Sequence, residues 1–433
     1  MGYTKPKGTE DMLPARARAW EQFLTIAWQT FGLYGYEPIE TPLFEKSEVF
    51  TRGCGETTDV ATKEIFSVYS IGALKKLREG EALKADQKLA LRPEGTASVV
   101  RAIAEHNLVP QGAAPAKLFY AGPMFRCERP QKGRLREFRQ VGAECLGAND
   151  PGADAEMIIM CMRFFEALGL KQESMQLLIN SMGCPNCRPA YTQAVRNYMK
   201  EHEEEFCDEC KRRADTNPLR AFDCKNPVCF EVMEGAPKFS DYLCDDCKAR
   251  YEQVKQYLEI AGLKFTEDAR LVRGFDYYTG TVFEVQVVEG LGSQSAIGGG
   301  GRYDKLMAEL GGPDISGIGF AVGFERIMLA LEAAGIDLDF GAPQLVYVAA
   351  VNDDVRGEAF KVLQTLRDAK IPAAADMQGK SLKAQFKLAG KANARLCVVV
   401  GPDELAQGQV TVRNMQTHDE NKVSLSDIVQ YCA

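Results

Sequence analysis

The chain has 433 residues, 45% of them apolar, with a formal net charge of -8 and 14 cysteines. That length supports two or three cores, and the acidic balance excludes nucleic-acid binding over the whole surface while leaving room for local basic patches. No apolar run follows the charges of MGYTKPKGTEDMLP and no stretch approaches a membrane span, so a cytoplasmic chain without a membrane partner is expected, in which many cysteines do not make a secreted disulfide scaffold.

From Pro14 to Phe31 apolar residues recur at helical spacing, and Gly32 ends the run. GYEPIETPLFE then reads as a strand flanked by Pro38 and Pro42. Lys75 to Lys88 is charged and poorly periodic, as in an exposed loop before a strand at Leu89. In LALRPEGTASVVRAIAEH, Arg92 and Glu94 close that strand, Gly95 turns the chain, and Thr96 caps a helix running to about His106. Glu94 and Thr96 can both accept hydrogen bonds from an ammonium group. Alternatively, Thr96 is only a cap and Glu94 only a surface charge.

Leu118 to Glu144 reads as two strands joined by a long charged loop. The period of two puts Leu118, Tyr120, Gly122, Met124 and Arg126 on one face of the first strand and Phe138, Gln140, Gly142 and Glu144 on one face of the second. Polar groups flanking a glycine on a buried strand suit a small polar ligand that approaches the backbone at Gly142 better than they suit core packing. Between the strands Arg129, Lys132, Arg134 and Arg136 place four cations in eight residues. Pro130 and Gly133 oppose helix there, an arrangement suited to phosphates.

Asp150 and Pro151 begin a helix through Leu168, closed by Gly169, and QLLINSM follows as a strand. Over residues 183–262 the composition shifts to charged helical runs and paired cysteines, as in an inserted domain. Cys184 and Cys187, Cys207 and Cys210, Cys224 and Cys229, and Cys244 and Cys247 make three C-x-x-C pairs and one C-x4-C within 64 residues. This is ligand spacing for tetrahedral zinc, enough for two four-cysteine sites, and structural because no open coordination position or partner base is evident. Disulfides fit a reducing compartment poorly, and plain buried cysteines do not arrive in pairs.

In LVRGFDYYTGTVFEVQVV, Arg273, Asp276, Tyr277 and Tyr278 crowd the entry to a strand from Thr281 to Val288. An arginine among apolar and aromatic residues must be paired, to Asp276 or to a ligand. Gly298 to Gly301, before Arg302, Tyr303 and Asp304, reads as a strand-to-helix turn close to a ligand, followed by the helix YDKLMAEL. GIGFAVGFERIMLAL reads as a strand running into a helix with Arg326 in the first turn. A cation there opposes the helix dipole, which favours a ligand role. Residues 333–343 read as a linker. Beyond it LVYVAAV, a helix from Asp353 to about Lys370, PAAAD, a helix from Ser381, RLCVVVG and QVTVRN make a small α/β domain over residues 344–433. Lys380, Lys383, Lys387, Lys391 and Arg395 are three or four apart with no acid among them, a basic stripe suited to RNA if helical, although Gly390 can end the helix early.

FRCERPQKGRLREFRQ resembles motif 2 of the class II aminoacyl-tRNA synthetases in the form carried by the histidyl-tRNA synthetase family. Arg139 stands where that family usually has His, and alternation turns it away from the ligand face. The first helix and strand resemble motif 1, the dimer-forming element; GIGFAVGFERIMLAL resembles motif 3; RGFDYYTGTVFE and GGGRYD resemble signatures of the histidyl branch. The resemblance runs over essentially the whole chain. It implies an α/β chain built on the α+β class II core over residues 1–332, an antiparallel sheet flanked by helices and interrupted by the insert, with a C-terminal α/β anticodon-binding domain. It also implies a homodimeric histidine–tRNA ligase that uses ATP with Mg2+, L-histidine and tRNA(His), forming histidyl-adenylate before transfer to the 3′ end of the tRNA.

The resemblance also implies roles for matching residues. Arg126 and Arg273 are the catalytic pair, and Arg126 and Arg326 hold ATP. Glu94 and Thr96 take the amino group of histidine, Gln140 its backbone end, Arg273 its carboxylate, and Glu144 with Tyr278 or Tyr277 its imidazole. Gln131, Lys132 and Arg134, with Lys383 and Lys387, contact tRNA. An apolar amino acid would leave the imidazole partners unpaired, a basis for rejection by roughly 10⁴ to 10⁵. The competing reading is a regulatory subunit of ATP phosphoribosyltransferase, but such paralogues usually lack the intact arginine signature and the C-terminal domain. No Walker loop is present, which removes a P-loop ATPase.

Overall fold

Apolar strands pair into one large sheet in the computed structural model, which describes residues 2–338, 341 and 344–433 except 56, 57, 59, 111, 225 and 289–294. The chain divides into two compact units, residues 1–340 and 341–433. Of the expected linker, residues 339, 340, 342 and 343 lie outside the described residues. The sheet comprises β1 (Glu37–Pro38), β2 (Ala116–Phe125), β3 (Glu137–Leu146), β4 (Met175–Ser181), β5 (Thr266–Glu267), β6 (Thr279–Val287), β7 (Ala296–Tyr303) and β8 (Gly317–Gly323). Their order is β1-β2-β3-β8-β7-β6-β4-β5. The six long strands pair antiparallel, and the two-residue strands β1 and β5 add parallel edges.

Alternation sorts the two faces. On one face Val141, Ala143 and Cys145 of β3 join Phe283 of β6 and Phe320 of β8 in a core completed by helices Pro14–Gly32, Pro151–Ala167, Asp245–Ile260 and Phe324–Ala333. On the other, Tyr120, Met124, Val282 and Tyr303 pack with Val99 and Ile103 of helix Thr96–His106. Tyr191, Val195, Met199 and Phe239 of the 183–262 segment belong to that second cluster, so this segment shares its core with the site-bearing face. A buried ion pair ties the faces together. Asp154 accepts from Arg302, with Nε at 2.8 Å, and from the Thr281 hydroxyl at 2.9 Å.

Three expectations are corrected here. Residues 71–78 form a helix, because the Ser70 hydroxyl accepts from the Ala73 amide and Ala73 is buried; only the stretch beyond it is loop and a short 3-10 turn. GYEPIETPLFE is not one strand. It splits into β1, which contains Pro38, and Phe44–Lys46, which pairs in a separate three-stranded sheet with Leu89–Leu91. Gly298 to Gly301 lie inside β7 rather than in a turn, and the helix after them covers only Leu306–Glu309. Their reason is crowding, since a Cβ on Gly300 would stand 1.9 Å from the Gly319 carbonyl oxygen.

The C-terminal unit is a five-stranded sheet. Ala373–Ala375, Val346–Ala350 and Leu396–Val400 run parallel, and Gln409–Asn414 and Glu420–Ser424 continue antiparallel. The last strand has one buried side chain, Val423, which explains why ENKVS carries no strand signal in sequence. Helix Leu382–Lys391 runs through Gly390, with Lys383, Lys387 and Lys391 on its exposed side. Lys380 precedes the helix and Arg395 follows it, bonded to the Cys432 carbonyl, so the stripe is shorter than five residues.

Candidate active site

Strands β2, β3, β6, β7 and β8 floor a cleft of about 320 Å³. Four arginines line it, Arg126, Arg134, Arg273 and Arg326. Arg126, just past β2, donates from Nε to the Pro93 carbonyl at 2.9 Å, and its guanidinium lies 5.2 Å from the Phe138 ring and 5.8 Å from that of Phe275. Its Nη groups hydrogen bond to no described residue. Arg273 crosses β7 at Gly299, where a Cβ would stand 2.8 Å from Nη1. It pairs with Glu284 at 2.9 Å and not with Asp276, whose carboxylate accepts instead from Asn217 at 3.2 Å. Arg273 Nε is a buried donor without a partner among the described residues. Arg326 donates to the Ala296 carbonyl at 2.9 Å, and burial, with nearby Arg134, pushes its pKa down. A cation such as Arg326, which burial and a neighbouring arginine both oppose, is stabilised by an anionic ligand.

The other end of the cleft is polar but not basic. Glu94 is buried, and its carboxylate accepts from the amides of Thr96 and Ala97, both at 2.7 Å. Glu94 therefore caps the helix, while Thr96 is its first residue rather than its cap. Burial raises the Glu94 pKa against those amides. Tyr277 and Tyr278 line the same end with Gln140, whose Oε1 is a buried acceptor lacking a partner among the described residues. Gly301 makes room for Tyr278, since a Cβ there would lie 2.9 Å from its ring. Gly142 is not open to a ligand as expected. Tyr120, its cross-strand partner, lays its ring over that glycine, 2.4 Å from where a Cβ would be.

Glu144 lies one layer below the cleft wall, accepting from the Thr96 hydroxyl at 2.7 Å and the Tyr303 hydroxyl at 2.5 Å. Burial raises its pKa to about 8, the two hydrogen bonds oppose this, and Glu94 adds to it. Between about pH 4.5 and pH 8 the folded chain therefore holds a proton that the unfolded chain has released, and this group's contribution to stability falls as pH rises through that window. Glu144→Gln is expected to lose a few kcal/mol less stability than the parent between about pH 5 and pH 9. Parallel melting-temperature profiles for the two proteins over that range would contradict this.

The four cations of the β2–β3 loop diverge. Arg134 turns into the cleft beside Arg326 and pairs with Glu128 at 3.1 Å. Arg136 bonds the Glu128 carbonyl and packs on Gly8 of the N-terminal segment. Arg129, Gln131 and Lys132 stay exposed at the tip. Arg139 does face away from the cleft, 5.9 Å from the Trp20 ring. Sequence reasoning missed Glu284 and Glu128, the partners of Arg273 and Arg134, and gave Tyr303 no role. An acid interrupting the apolar alternation of TVFEVQV was the available signal for Glu284.

The eight insert cysteines form two groups with nested pairing. Cys184, Cys187, Cys244 and Cys247 make one and Cys207, Cys210, Cys224 and Cys229 the other, the sulfurs of each lying within 4.8 Å of one another. Sulfur separations are 3.5 Å for Cys184–Cys187, 3.8 Å for Cys187–Cys247 and 3.9 Å for Cys207–Cys224. A tetrahedron with metal–sulfur bonds of about 2.3 Å has edges of about 3.8 Å, whereas a disulfide needs about 2.05 Å. Backbone amides of Cys207 and Cys244 donate to Cys229 and Cys187 sulfur, at 3.2 and 3.1 Å, as second-sphere support for thiolate charge.

A largely antiparallel sheet with arginines from its hairpin, from a late strand's approach and from its last helix converging on one glycine-floored cleft defines a class II aminoacyl-tRNA synthetase. Comparison narrows the class. The family profile described as histidyl-tRNA synthetase matches residues 8–327, and that described as anticodon binding domain matches residues 345–433. Histidine–tRNA ligase of Moorella thermoacetica is 45% identical, with 99% of this chain and 97% of that protein covered; that of Geobacter metallireducens is 43% identical, with 97% and 96% covered. The crystal structure of apo S. aureus histidyl-tRNA synthetase superposes with a TM-score of 0.81 at 34% identity, covering 100% of both chains. The chain belongs to the histidyl-tRNA synthetase family.

Proposed function

We propose that this chain is a histidine–tRNA ligase that activates L-histidine with ATP and transfers the histidyl group to the 3′ end of tRNA(His). The observation that carries the reading is one cleft with four arginines at its phosphate end and an acid, hydroxyl and tyrosine set at the other. A histidine carboxylate oxygen attacks the α-phosphorus of ATP. The bond from that phosphorus to the bridging oxygen breaks, and its electron pair leaves with pyrophosphate. No protein nucleophile is needed, and the protein's work is alignment and charge stabilisation. Arg126 and Arg273 offer unpartnered N–H groups to the α-phosphate, and Arg326 with Arg134 holds the rest of the nucleotide.

The Gln140 carbonyl, Glu94 and the Thr96 hydroxyl hold the α-ammonium. Tyr277 and Tyr278 face the imidazole, and Glu144, beneath the cleft wall, acts through the Thr96 and Tyr303 hydroxyls it holds rather than by reaching the ring itself. Glu128 and Glu284, at the arginine end of the cleft, would be the carboxylates to hold Mg2+, which would supply neutralising charge beside the substrate phosphates. The exposed lysines 383, 387 and 391 and the loop tip at Gln131 and Lys132 are the surfaces offered to tRNA. Exposed Leu33, Leu43, Phe44 and Ile71, in and beside the motif 1 region, support a homodimer. No helix among the described residues is long and apolar enough to cross a membrane. The two thiolate sets take structural zinc.

ATP–pyrophosphate exchange tested across the amino acids is expected to depend on histidine alone. Exchange supported by another amino acid, or by none, would refute the assignment. Sedimentation of the purified protein as a dimer is the matching expectation for assembly.

A further inference from the structure

The loop from Gly274 to Tyr278 has no regular backbone pairing, yet it carries the two tyrosines of the cleft and follows Arg273 directly. The carbonyls of Gly274, Asp276 and Tyr278 accept from the cysteine-bearing segment. Arg188 donates from Nη1 to the Tyr278 carbonyl at 3.1 Å and to that of Asp276 at 3.4 Å. Arg220 donates to the Gly274 carbonyl at 2.7 Å, and its Nε lies 3.7 Å from the Asp276 carboxylate, which also accepts from Asn217. Each arginine is attached to a different thiolate set. Arg188 follows Cys187 immediately and begins the helix Arg188–Glu201, with its amide on the Cys184 carbonyl. Asn217 and Arg220 lie between Cys210 and Cys224, and Arg213 of the same stretch bonds the Arg220 carbonyl at 3.0 Å.

We infer that the two thiolate sets are metal sites that position the histidine-binding loop, one through Arg188 and the other through Arg220. The inference rests on the zinc reading above and extends it from stability to substrate binding. Arg188 and Arg220 are positioning residues, since neither lines the cleft and both act through backbone carbonyls of residues that adjoin or line it. Without metal, the two halves of each thiolate set are joined only by weak sulfur contacts and a single amide–sulfur hydrogen bond, and the arginine beside it loses its fixed origin.

The test uses the full-length protein purified without chelator, with zinc measured per chain. Two equivalents are expected, falling to about one in Cys247→Ser and in Cys229→Ser. Arg188→Ala and Arg220→Ala are expected to keep both ions and an unchanged melting temperature, and to raise the KM for histidine about tenfold while the KM for ATP stays within about twofold. Arg188→Lys should recover part of that loss. Amides 274–280 should exchange hydrogen faster in the alanine variants and in chelator-stripped parent protein, while those of β3 and β8 stay protected. Less than about a fifth of an equivalent of zinc in the parent, or alanine variants with parental histidine KM and loop protection, would overturn the inference. The hydrogen-exchange arm needs no turnover, so it reads the clamp even if the ligase assignment fails.

Discussion

Arg273→Ala is expected to lower histidine-dependent ATP–pyrophosphate exchange by about 10³-fold, the scale of losing a preorganised charged donor to the transition state. Arg273 reaches across Gly299 and carries a buried Nε with no partner among the described residues. Burial works against its charge, and Tyr278 and Glu284 more than offset that, so the cation is kept in place before any ligand arrives. The same environment argues that the variant folds. Glu284 would keep the donor from Gln286 at 2.8 Å and its partial access to water, and no buried charge would be stranded. Stopped turnover with an intact melting transition is the expected pair of results. Exchange within about tenfold of the parent would remove Arg273 from the reaction.

Deleting residues 341–433 is expected to cut aminoacylation of tRNA(His) by at least about 10²-fold while exchange stays within about tenfold of the parent. The deleted unit closes its own core, with Val348, Leu363, Val398 and Val410 in one apolar cluster, and the first unit closes others, so each part satisfies its own burial. Every residue of the small-substrate cleft lies before residue 341. The exposed lysines of Leu382–Lys391 belong to the deleted unit. Charging by the truncated protein at the rate of the whole chain would show that these lysines and their domain do not bind the RNA. Loss of exchange would show that the catalytic unit depends on residues beyond 340.

The sequence by itself determined much of this protein. Period-two alternation in Leu118–Glu144 and the helix signals around Pro14, Asp150–Pro151 and Ser381 are local, and the structure follows them. Arg126, Arg273, Arg326, Glu94 and Gln140 stood out in sequence because a charge or amide in or beside an apolar strand, or a cation in a first helical turn, conflicts with packing, and the structure brings all five to one cleft. Cysteine spacing marked ligand pairs, but which pairs join is a matter of how the helices between them return. Outer pairs met outer and inner met inner only once Arg188–Glu201 and Asp245–Ile260 were in place. Tertiary structure alone decided three further points. Gly298 to Gly301 became a strand because neighbouring backbones and the Arg273 and Tyr278 side chains fill the space a Cβ needs. Gly142 closed under the Tyr120 ring, because cross-strand register, not residue type, sets what covers a glycine. Arg273 took Glu284 rather than Asp276, because the side chain three residues away was drawn to Asn217 and Arg220 of the cysteine-bearing segment, whereas Glu284 stood on the strand the arginine crosses.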